Sequence, residues 1–164
     1  MNNKPKISVI LPFYNAVDRL ELSIKSVLNQ SFTDFELLLV NNNSDDGSRE
    51  TAEQFMQKDS RIKLLDENRQ GVAYASETGL KAARARYLAR TDADDICRRD
   101  RLEKQYQFLE KHPKYQAVGS HAEFSGPEKS TGMQHFIEKT NQRITHEELY
   151  LYQFSELQII NPTV

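Results

Sequence analysis

The sequence predicts an α/β fold in which a mostly parallel sheet carries helices on both faces. Two apolar runs, 7–13 and 35–40, have the continuous hydrophobic character of strands that are buried on both sides. Segments with helical spacing alternate with such runs, and this alternation is typical of parallel sheets. The 164 residues suffice for one domain with a real core, and no linker or repeat marks a boundary within 1–164.

Local patterns define the elements in order. Leu20, Ile24 and Val27 repeat with helical spacing in the segment 18–30. The alanine-rich segment 71–84 is also helix-prone, although Gly79 lowers its helix propensity. The other elements follow from the same kinds of pattern and from turn and capping residues between them. The predicted strands span 7–13, 35–40, 61–65, 86–91, 115–124 and 157–164. The predicted helices span 18–30, 48–58, 71–84, 99–111 and 145–154, and 126–141 is predicted to be a loop.

The composition narrows the class of function. Basic and acidic side chains nearly balance, 22 against 24, so no electrostatic footprint indicates a nucleic acid partner. The single cysteine, Cys97, excludes an intrachain disulfide and a cysteine-based zinc site in this sequence. No apolar run approaches the roughly 18 residues that span a bilayer, and no signal sequence is evident, so we expect a cytoplasmic protein.

Polar residues follow three of the predicted strands: Tyr14-Asn15, Asn41-Asn-Asn43 and Asp92-Ala-Asp-Asp95. In parallel sheets ligands bind at the carboxyl ends of strands, where these three turns would gather. Carboxylates crowded together repel one another, and hard oxygen ligands favour Mg²⁺ or Mn²⁺ shared with the phosphates of a substrate. We therefore expect a metal–diphosphate site at 92–95, with a solvated acidic turn as the alternative.

Several segments, in the right order, resemble the family 2 glycosyltransferases, which are nucleotide-sugar enzymes of the GT-A fold. Residues 8–15 (Ser-Val-Ile-Leu-Pro-Phe-Tyr-Asn) are similar to the opening strand and nucleotide loop of the family, and 26–36 to the stretch before the second strand. Residues 91–95 (Thr-Asp-Ala-Asp-Asp) coincide with its Asp-x-Asp motif, and 101–105 follows at the expected place. The resemblance implies a Rossmann-like GT-A domain that is truncated at its C-terminus.

The resemblance also implies roles for individual side chains. Pro12, Tyr14 and Asn15 would form one wall of the nucleotide-sugar pocket. Asp94 would bind the divalent cation directly, and Asp92 would lie near both the ribose and the metal. A metal held in this way would stabilise the negative charge that develops on the departing diphosphate.

The chain departs from the family pattern at the nucleotide. Asn42 stands where the family has a base-contacting aspartate; because an asparagine can accept from the uracil N–H and donate to the neighbouring carbonyl, we expect a UDP- or dTDP-sugar. Ser76 and Glu77 replace an Arg-Asn pair, which should weaken nucleotide binding unless Arg69, Arg86 or Arg90 compensates. For the flanking asparagines, 41 and 43, we favour the simpler interpretation that they tolerate turn geometry.

The resemblance therefore implies metal-dependent, inverting transfer of a sugar to a glycan or polysaccharide acceptor. The family's catalytic Asp or Glu lies beyond a strand similar to the one starting at Asn161, so we expect the base and the acceptor half in a missing C-terminal part. Any peripheral contact with the inner face of the membrane would also lie there. Two alternatives stay open: a degenerate, non-catalytic nucleotide-sugar-fold module, and a phosphoacceptor receiver domain, although 12–15 lacks the acidic pair of the latter.

Overall fold

The computed structural model describes residues 4–125 and 131–142. Up to residue 111 the predicted order of strands and helices is confirmed, with boundaries that differ by at most two residues. The strands are β1 (Ile7–Phe13), β2 (Phe35–Asn41), β3 (Ile62–Asp66) and β4 (Tyr87–Arg90). The helices are α1 (Val17–Leu28), α2 (Ser48–Lys58), α3 (Val72–Ala82), α4 (Arg101–Lys111) and α5 (Thr131–Asn141).

The four strands form one parallel sheet in the order β3-β2-β1-β4. Successive residues of a strand point to opposite faces, so β1 and β2 contribute side chains to two separate hydrophobic cores, one on each face of the sheet. One core includes Val9, Leu11 and buried residues of α1, α2 and α4. The other joins Ile10 and Leu38 to Ala75 of α3. The prediction of helices on both faces is thereby confirmed, and the carboxyl ends of all four strands meet at one edge.

Two predictions near the end of the described residues are wrong. Residues 115–124 form no strand, because the backbone N–H and C=O of Ala122 are bonded to the side chain of Asn141 (3.0 and 2.7 Å) rather than to a neighbouring strand. The predicted loop 126–141 contains α5, whose apolar residues Met133, Phe136 and Ile137 do have helical spacing. The predicted helix 145–154 and strand 157–164 lie outside the described residues.

Pro12 lies in the buried strand β1, where a missing backbone N–H would normally leave a ladder bond unmade. The carbonyls of Lys6 and Ile10 accept hydrogen bonds from β4 residue Tyr87 and from Thr91, so even-numbered residues of β1 face β4. Since β4 ends beside Ile10, Pro12 stands beyond its last partner and no ladder bond is lost. The strand therefore tolerates a proline one residue before its end.

The amino edge of the sheet is held by a buried carboxylate that also places β4. Glu36 is 2% exposed and accepts hydrogen bonds from the Ser8 hydroxyl (2.8 Å), the Arg84 backbone N–H (2.9 Å) and Lys63 Nζ (3.2 Å). Burial opposes ionisation of Glu36, but these hydrogen bonds outweigh it and hold its pKa below the ordinary value. Because Arg84 leads into β4, this contact fixes where β4 starts and hence where the acidic turn after it lies.

Gly79 allows α3 to approach the sheet closely, which explains a glycine in the middle of a helix. A Cβ atom at position 79 would lie 2.5 Å from Ile10 Cγ2 and 3.3 Å from Val40 Cγ2. Both neighbours are β-branched and stiff, so the helix or the sheet would have to move. Gly79 is therefore required by packing rather than by backbone conformation.

We expect Gly79→Ala to lower the free energy of unfolding by about 1–2 kcal/mol, since overpacking outweighs the gain in helix propensity. Urea denaturation followed by far-UV circular dichroism measures the change. Gly132→Ala in α5 is the matched control, because a Cβ there meets nothing within 4 Å. It should be neutral or stabilise by up to about 0.5 kcal/mol. Equal effects of the two substitutions would contradict the packing argument.

Candidate functional site

The first two loops of the carboxyl edge are joined through Asn15. This residue has a φ of +46°, a left-handed conformation that asparagine tolerates better than most residues. Its Nδ2 donates to Asp45 Oδ1 (2.8 Å), its Oδ1 accepts from the Asp45 N–H (3.0 Å), and its own N–H donates to Ser44 Oγ (3.1 Å). The side chain of Asn15 thus fixes the β1–α1 loop to the β2–α2 loop.

Asp46 holds the N-termini of α1 and α2 together. Its carboxylate accepts hydrogen bonds from the N–H of Val17 (3.0 Å), the N–H of Ser48 (3.0 Å) and the Ser48 hydroxyl (2.6 Å). Desolvation opposes ionisation, but these hydrogen bonds outweigh it and lower the pKa of Asp46. A carboxylate at two helix N-termini also complements both helix dipoles. These bonds fix the first turn of α1 relative to the first turn of α2.

The three consecutive asparagines after β2 join this loop to the loop after β3. Each Nδ2 group donates to a different part of the 66–69 segment: Asn41 to Asp66 Oδ1 (2.9 Å), Asn42 to the carbonyls of Glu67 and Arg69 (2.8 Å each), and Asn43 to the carbonyl of Asn68 (2.7 Å). We call this set the asparagine ladder. Turn geometry alone does not account for it, although Asn43 does adopt a φ of +63°.

Asn42 is the central member of the ladder and is only 3% exposed. Both of its Nδ2 hydrogens are donated to backbone carbonyls, and its Oδ1 accepts the N–H of Gly71 (2.7 Å). A primary amide has only two hydrogens, so donation from Asn42 to a base carbonyl would require one of these two bonds to be released, and a contact between Asn42 and the base stays a prediction. The amide is used to order the β3–α3 loop.

The acidic turn after β4 is closed by the Asp95 N–H, which donates to the Asp92 carbonyl (3.2 Å). That carbonyl also accepts the Ser23 hydroxyl (3.0 Å), and Asp92 Oδ1 accepts from Arg90 Nη2 (2.9 Å). Burial, together with the charges of Asp94 and Asp92, raises the pKa of Asp95 to about 6. Two of the three carboxylates are thus committed to the turn or partly withdrawn from solvent.

Asp94 differs from its neighbours because its side chain is exposed and has no hydrogen-bond or ion-pair partner among residues 4–125 and 131–142. It lines an open cleft of about 360 Å³ between the acidic turn and the start of α1. The other residues of this cleft are Tyr14, Asn15, Ala16, Val17, Asp18, Arg19, Asp46 and Ala93. Within the described part of the chain, no three carboxylate, imidazole or thiol side chains converge on one metal position.

The structure brings together three of the six predicted site residues in this cleft: Tyr14, Asn15 and Asp94. The other three occupy neighbouring positions that do not line it. Pro12 is buried in β1, Asn42 is buried under the β3–α3 loop, and Asp92 is half-buried against Arg90. The turns that carry these residues do meet at one edge of the sheet, as predicted. The two groups differ in exposure to the cleft, since only Tyr14, Asn15 and Asp94 line it.

Sequence reasoning missed a buried arginine that supports the acidic turn. Arg101 is 8% exposed, and its guanidinium donates to the Arg90 carbonyl (2.7 Å) and contacts Cys97 Sγ (3.1 Å). In the sequence Arg101 is distinguished only as the first residue of the 101–105 segment. A charged residue opening an amphipathic helix gives no sign of burial, so this role could be found only in three dimensions.

The β3–α3 loop carries a second group of interacting side chains. Arg69 donates to Glu67 through Nε (3.0 Å) and Nη2 (2.8 Å), and Nη2 also reaches Glu77 (3.3 Å). Thr78 donates to the same Glu67 carboxylate (2.6 Å). Of the three arginines considered as compensation for Glu77, Arg69 is the one that contacts it. The other two are paired elsewhere, Arg86 with Glu110 and Arg90 with Asp92.

The sequence matches a known protein family and several curated proteins. The family described as Glycosyl transferase family 2 matches residues 8–163. The putative teichuronic acid biosynthesis glycosyltransferase TuaG of Bacillus subtilis is 43% identical over 110 residues, which are 66% of this chain and 43% of TuaG. The putative glycosyltransferase EpsE of the same organism is 43% identical over 122 residues, 73% of this chain and 44% of EpsE. The chain thus spans less than half the length of these relatives.

Solved structures agree on the fold. S. aureus TarS 1-349, in complex with UDP-GlcNAc, superposes with a TM-score of 0.62 at 25% identity, covering 66% of this chain and 32% of TarS. The mannosyltransferase PcManGT of Pyrobaculum calidifontis, in complex with GDP-Man and Mn²⁺, gives 0.63 at 25% identity, over 75% and 37%. No described helix has the length and apolar character to cross a bilayer. The sheet is that of the GT-A fold, and the chain belongs to glycosyl transferase family 2.

Proposed function

We propose that this chain supplies the donor side of a metal-dependent glycosyltransferase, which moves a sugar from UDP or dTDP to a glycan acceptor with inversion at the sugar carbon. The observation that carries the proposal is Asp94. Its carboxylate is exposed in the cleft at the carboxyl edge and is not used by any described part of the protein, whereas Asp92 and Asp46 are already hydrogen-bonded. A free carboxylate at this edge suits a shared metal ion.

The donor set fits a divalent cation that is completed by substrate. Mg²⁺ and Mn²⁺ accept one or two protein carboxylates and take the remaining ligands from phosphates and water. Asp94 would provide the first carboxylate and Asp92 would lie near the same ion, which agrees with the absence of a three-residue cluster in the described residues. When bound, the metal would neutralise charge on the departing diphosphate.

The residues around the cleft would position the donor. Tyr14 is 53% exposed, so its ring is available to pack against a flat or apolar face of the nucleotide sugar. Asn15 and Asp46 hold the loops on either side of that ring, so little ordering would be needed when the donor binds.

The choice of donor and acceptor rests on relatives. TarS has been solved with UDP-GlcNAc, and PcManGT with GDP-Man and Mn²⁺, so both uridine and guanosine donors occur among the structural neighbours. TuaG carries the name of a teichuronic acid biosynthesis glycosyltransferase, which supports a polysaccharide as the acceptor. We infer a pyrimidine nucleotide first, because the Asn42 amide oxygen accepts one hydrogen bond, from Gly71, and keeps a second lone pair for the N–H of a uracil or thymine ring; GDP serves as the comparison.

Calorimetric titration of UDP, dTDP and GDP, each with and without Mn²⁺, tests the proposal. We expect UDP or dTDP to bind in the presence of Mn²⁺, with binding at least about tenfold weaker after removal of the metal by EDTA. GDP should bind more weakly than UDP. Failure of every nucleotide to bind would contradict the proposal and favour a non-catalytic module that has kept the fold.

A further inference from the structure

We propose that Arg90 competes with the divalent cation for Asp92 and thereby sets how tightly the acidic turn binds metal, an inference that rests on the proposed function. Arg90 is the last residue of β4 and lies two positions before Asp92. Its Nη2 donates to Asp92 Oδ1 at 2.9 Å. Within residues 4–125 and 131–142, no other ion pair involves a carboxylate of the turn, whether Asp92, Asp94 or Asp95.

The ion pair between Arg90 and Asp92 is a one-point contact, unlike the pair that Arg49 forms with Asp66. Arg49 reaches Asp66 through both Nε (3.1 Å) and Nη2 (3.0 Å), which is the strong, two-point form of an arginine–carboxylate pair. Arg90 uses Nη2 alone, and its buried Nε has no hydrogen-bond partner within the described residues. A buried donor without a partner is unfavourable, so the closed pair leaves part of the guanidinium unsatisfied. We therefore expect it to open more readily than a two-point pair.

The backbone between the two charged side chains is fixed, so the ion pair can open by rotation of side chains alone. The Arg90 carbonyl accepts a hydrogen bond from Arg101 Nη2 (2.7 Å). Thr91 is fully buried, and its N–H donates to the Ile10 carbonyl of β1 (3.2 Å). Release of Arg90 from Asp92 therefore leaves the acidic turn in place.

Both partners of the ion pair are reached by solvent. The side chain of Arg90 is 30% exposed and that of Asp92 is 32% exposed. Asp92 Oδ2 accepts no hydrogen bond from the described residues, so one carboxylate oxygen is available while Arg90 holds the other. A divalent cation can thus approach Asp92 before Arg90 has left it.

The charge of Arg90 has opposite effects before and after a cation binds. Without a cation, Arg90 offsets part of the repulsion among the carboxylates of the turn. A divalent cation takes over this role when it binds, and Arg90 then becomes a like charge beside it. Competition with Arg90 therefore lowers the affinity of the turn for the cation, and Asp92 contributes fully only when its ion pair has opened.

The test measures Mn²⁺ binding to the protein without nucleotide, by electron paramagnetic resonance of the free ion. Arg90→Met removes the charge and keeps a long side chain, so it should bind Mn²⁺ about fivefold more tightly than the unchanged protein. Arg90→Lys keeps the charge and should differ by less than about twofold. The matched control is Arg86→Met, which removes the same charge from an exposed arginine at the opposite end of β4, and it should also have no effect.

A double substitution shows whether the gain depends on Asp92. In an Asp92→Asn background, Arg90→Met should change the Mn²⁺ affinity by less than about twofold, because the shared carboxylate is absent. A gain of about fivefold that persisted there would overturn the competition, since the charge of Arg90 would then act on the cation without Asp92. Far-UV circular dichroism checks that each variant folds. Arg90→Gln, which is also uncharged, gives the same comparison if Arg90→Met does not fold.

The outcomes separate the role of Arg90 from the proposed function. If UDP binding to the unchanged protein depends on Mn²⁺ and Arg90→Met gains no affinity for Mn²⁺, the competition is overturned and the proposed function stands. If UDP binding is independent of Mn²⁺ and Asp94→Ala leaves Mn²⁺ binding unchanged, the proposed function is overturned together with the role of Arg90.

Discussion

Asp94→Ala is expected to abolish the Mn²⁺-dependent part of UDP binding, which corresponds to a loss of about 100-fold or more in affinity at saturating metal. The reason is that Asp94 provides an exposed carboxylate at the acidic turn, whereas Asp92 is engaged by Arg90 and Asp46 by the N-terminus of α1. Asp18 also lines the cleft, but it lies on the first turn of α1 rather than on the acidic turn. The residual affinity should equal that of the unchanged protein after EDTA treatment. Calorimetry with and without Mn²⁺ measures both quantities.

Asp34→Ala is the matched control for this experiment. Asp34 is an exposed aspartate just before β2, at the amino edge of the sheet. Its replacement by alanine therefore removes one negative charge without changing the cleft. We expect no change in the Mn²⁺ dependence of binding. If Asp94→Ala kept the full response to Mn²⁺, the metal would have to be bound elsewhere and the proposed role of Asp94 would be wrong.

The second large effect concerns Asn42, where Asn42→Asp should lower the free energy of unfolding by about 3 kcal/mol at pH 7. The substitution would remove both donations to the carbonyls of Glu67 and Arg69 and place a buried carboxylate oxygen against them. The loss should shrink as the pH falls toward 4, because protonation of the introduced carboxyl restores one donor. Urea denaturation at the two pH values measures the difference.

Asn43→Asp controls for the change in charge at the neighbouring position. Asn43 is exposed and donates to one carbonyl, that of Asn68, so we expect a loss below about 1 kcal/mol with little dependence on pH. Asn43 and its replacement both tolerate the left-handed backbone at this position. Equal losses for the two substitutions would contradict a specific role of the Asn42 amide.

The strand and helix order could be predicted from the chain because buried parallel strands and amphipathic helices leave distinct periodic patterns. The continuous apolar runs of β1 and β2 and the helical spacing in α1 are examples. Segments stabilised by single side chains left no such pattern. The sequence of 115–124 predicts a strand, but the side chain of Asn141, 19 residues away, bonds the backbone N–H and C=O of Ala122 within this segment.

The sequence was sufficient to identify the family, the parallel sheet and the edge where Tyr14, Asn15 and Asp94 gather, because these depend on residue type and order along the chain. Tertiary contacts were needed to find which polar groups remain available to a ligand. Asn42, Asp46 and Asp94 all read as polar turn residues, yet of these three side chains only that of Asp94 has no hydrogen-bond partner within the described residues. A hydrogen bond between residues distant in sequence decides availability, and the partner of each group becomes known only when the loops are folded against one another.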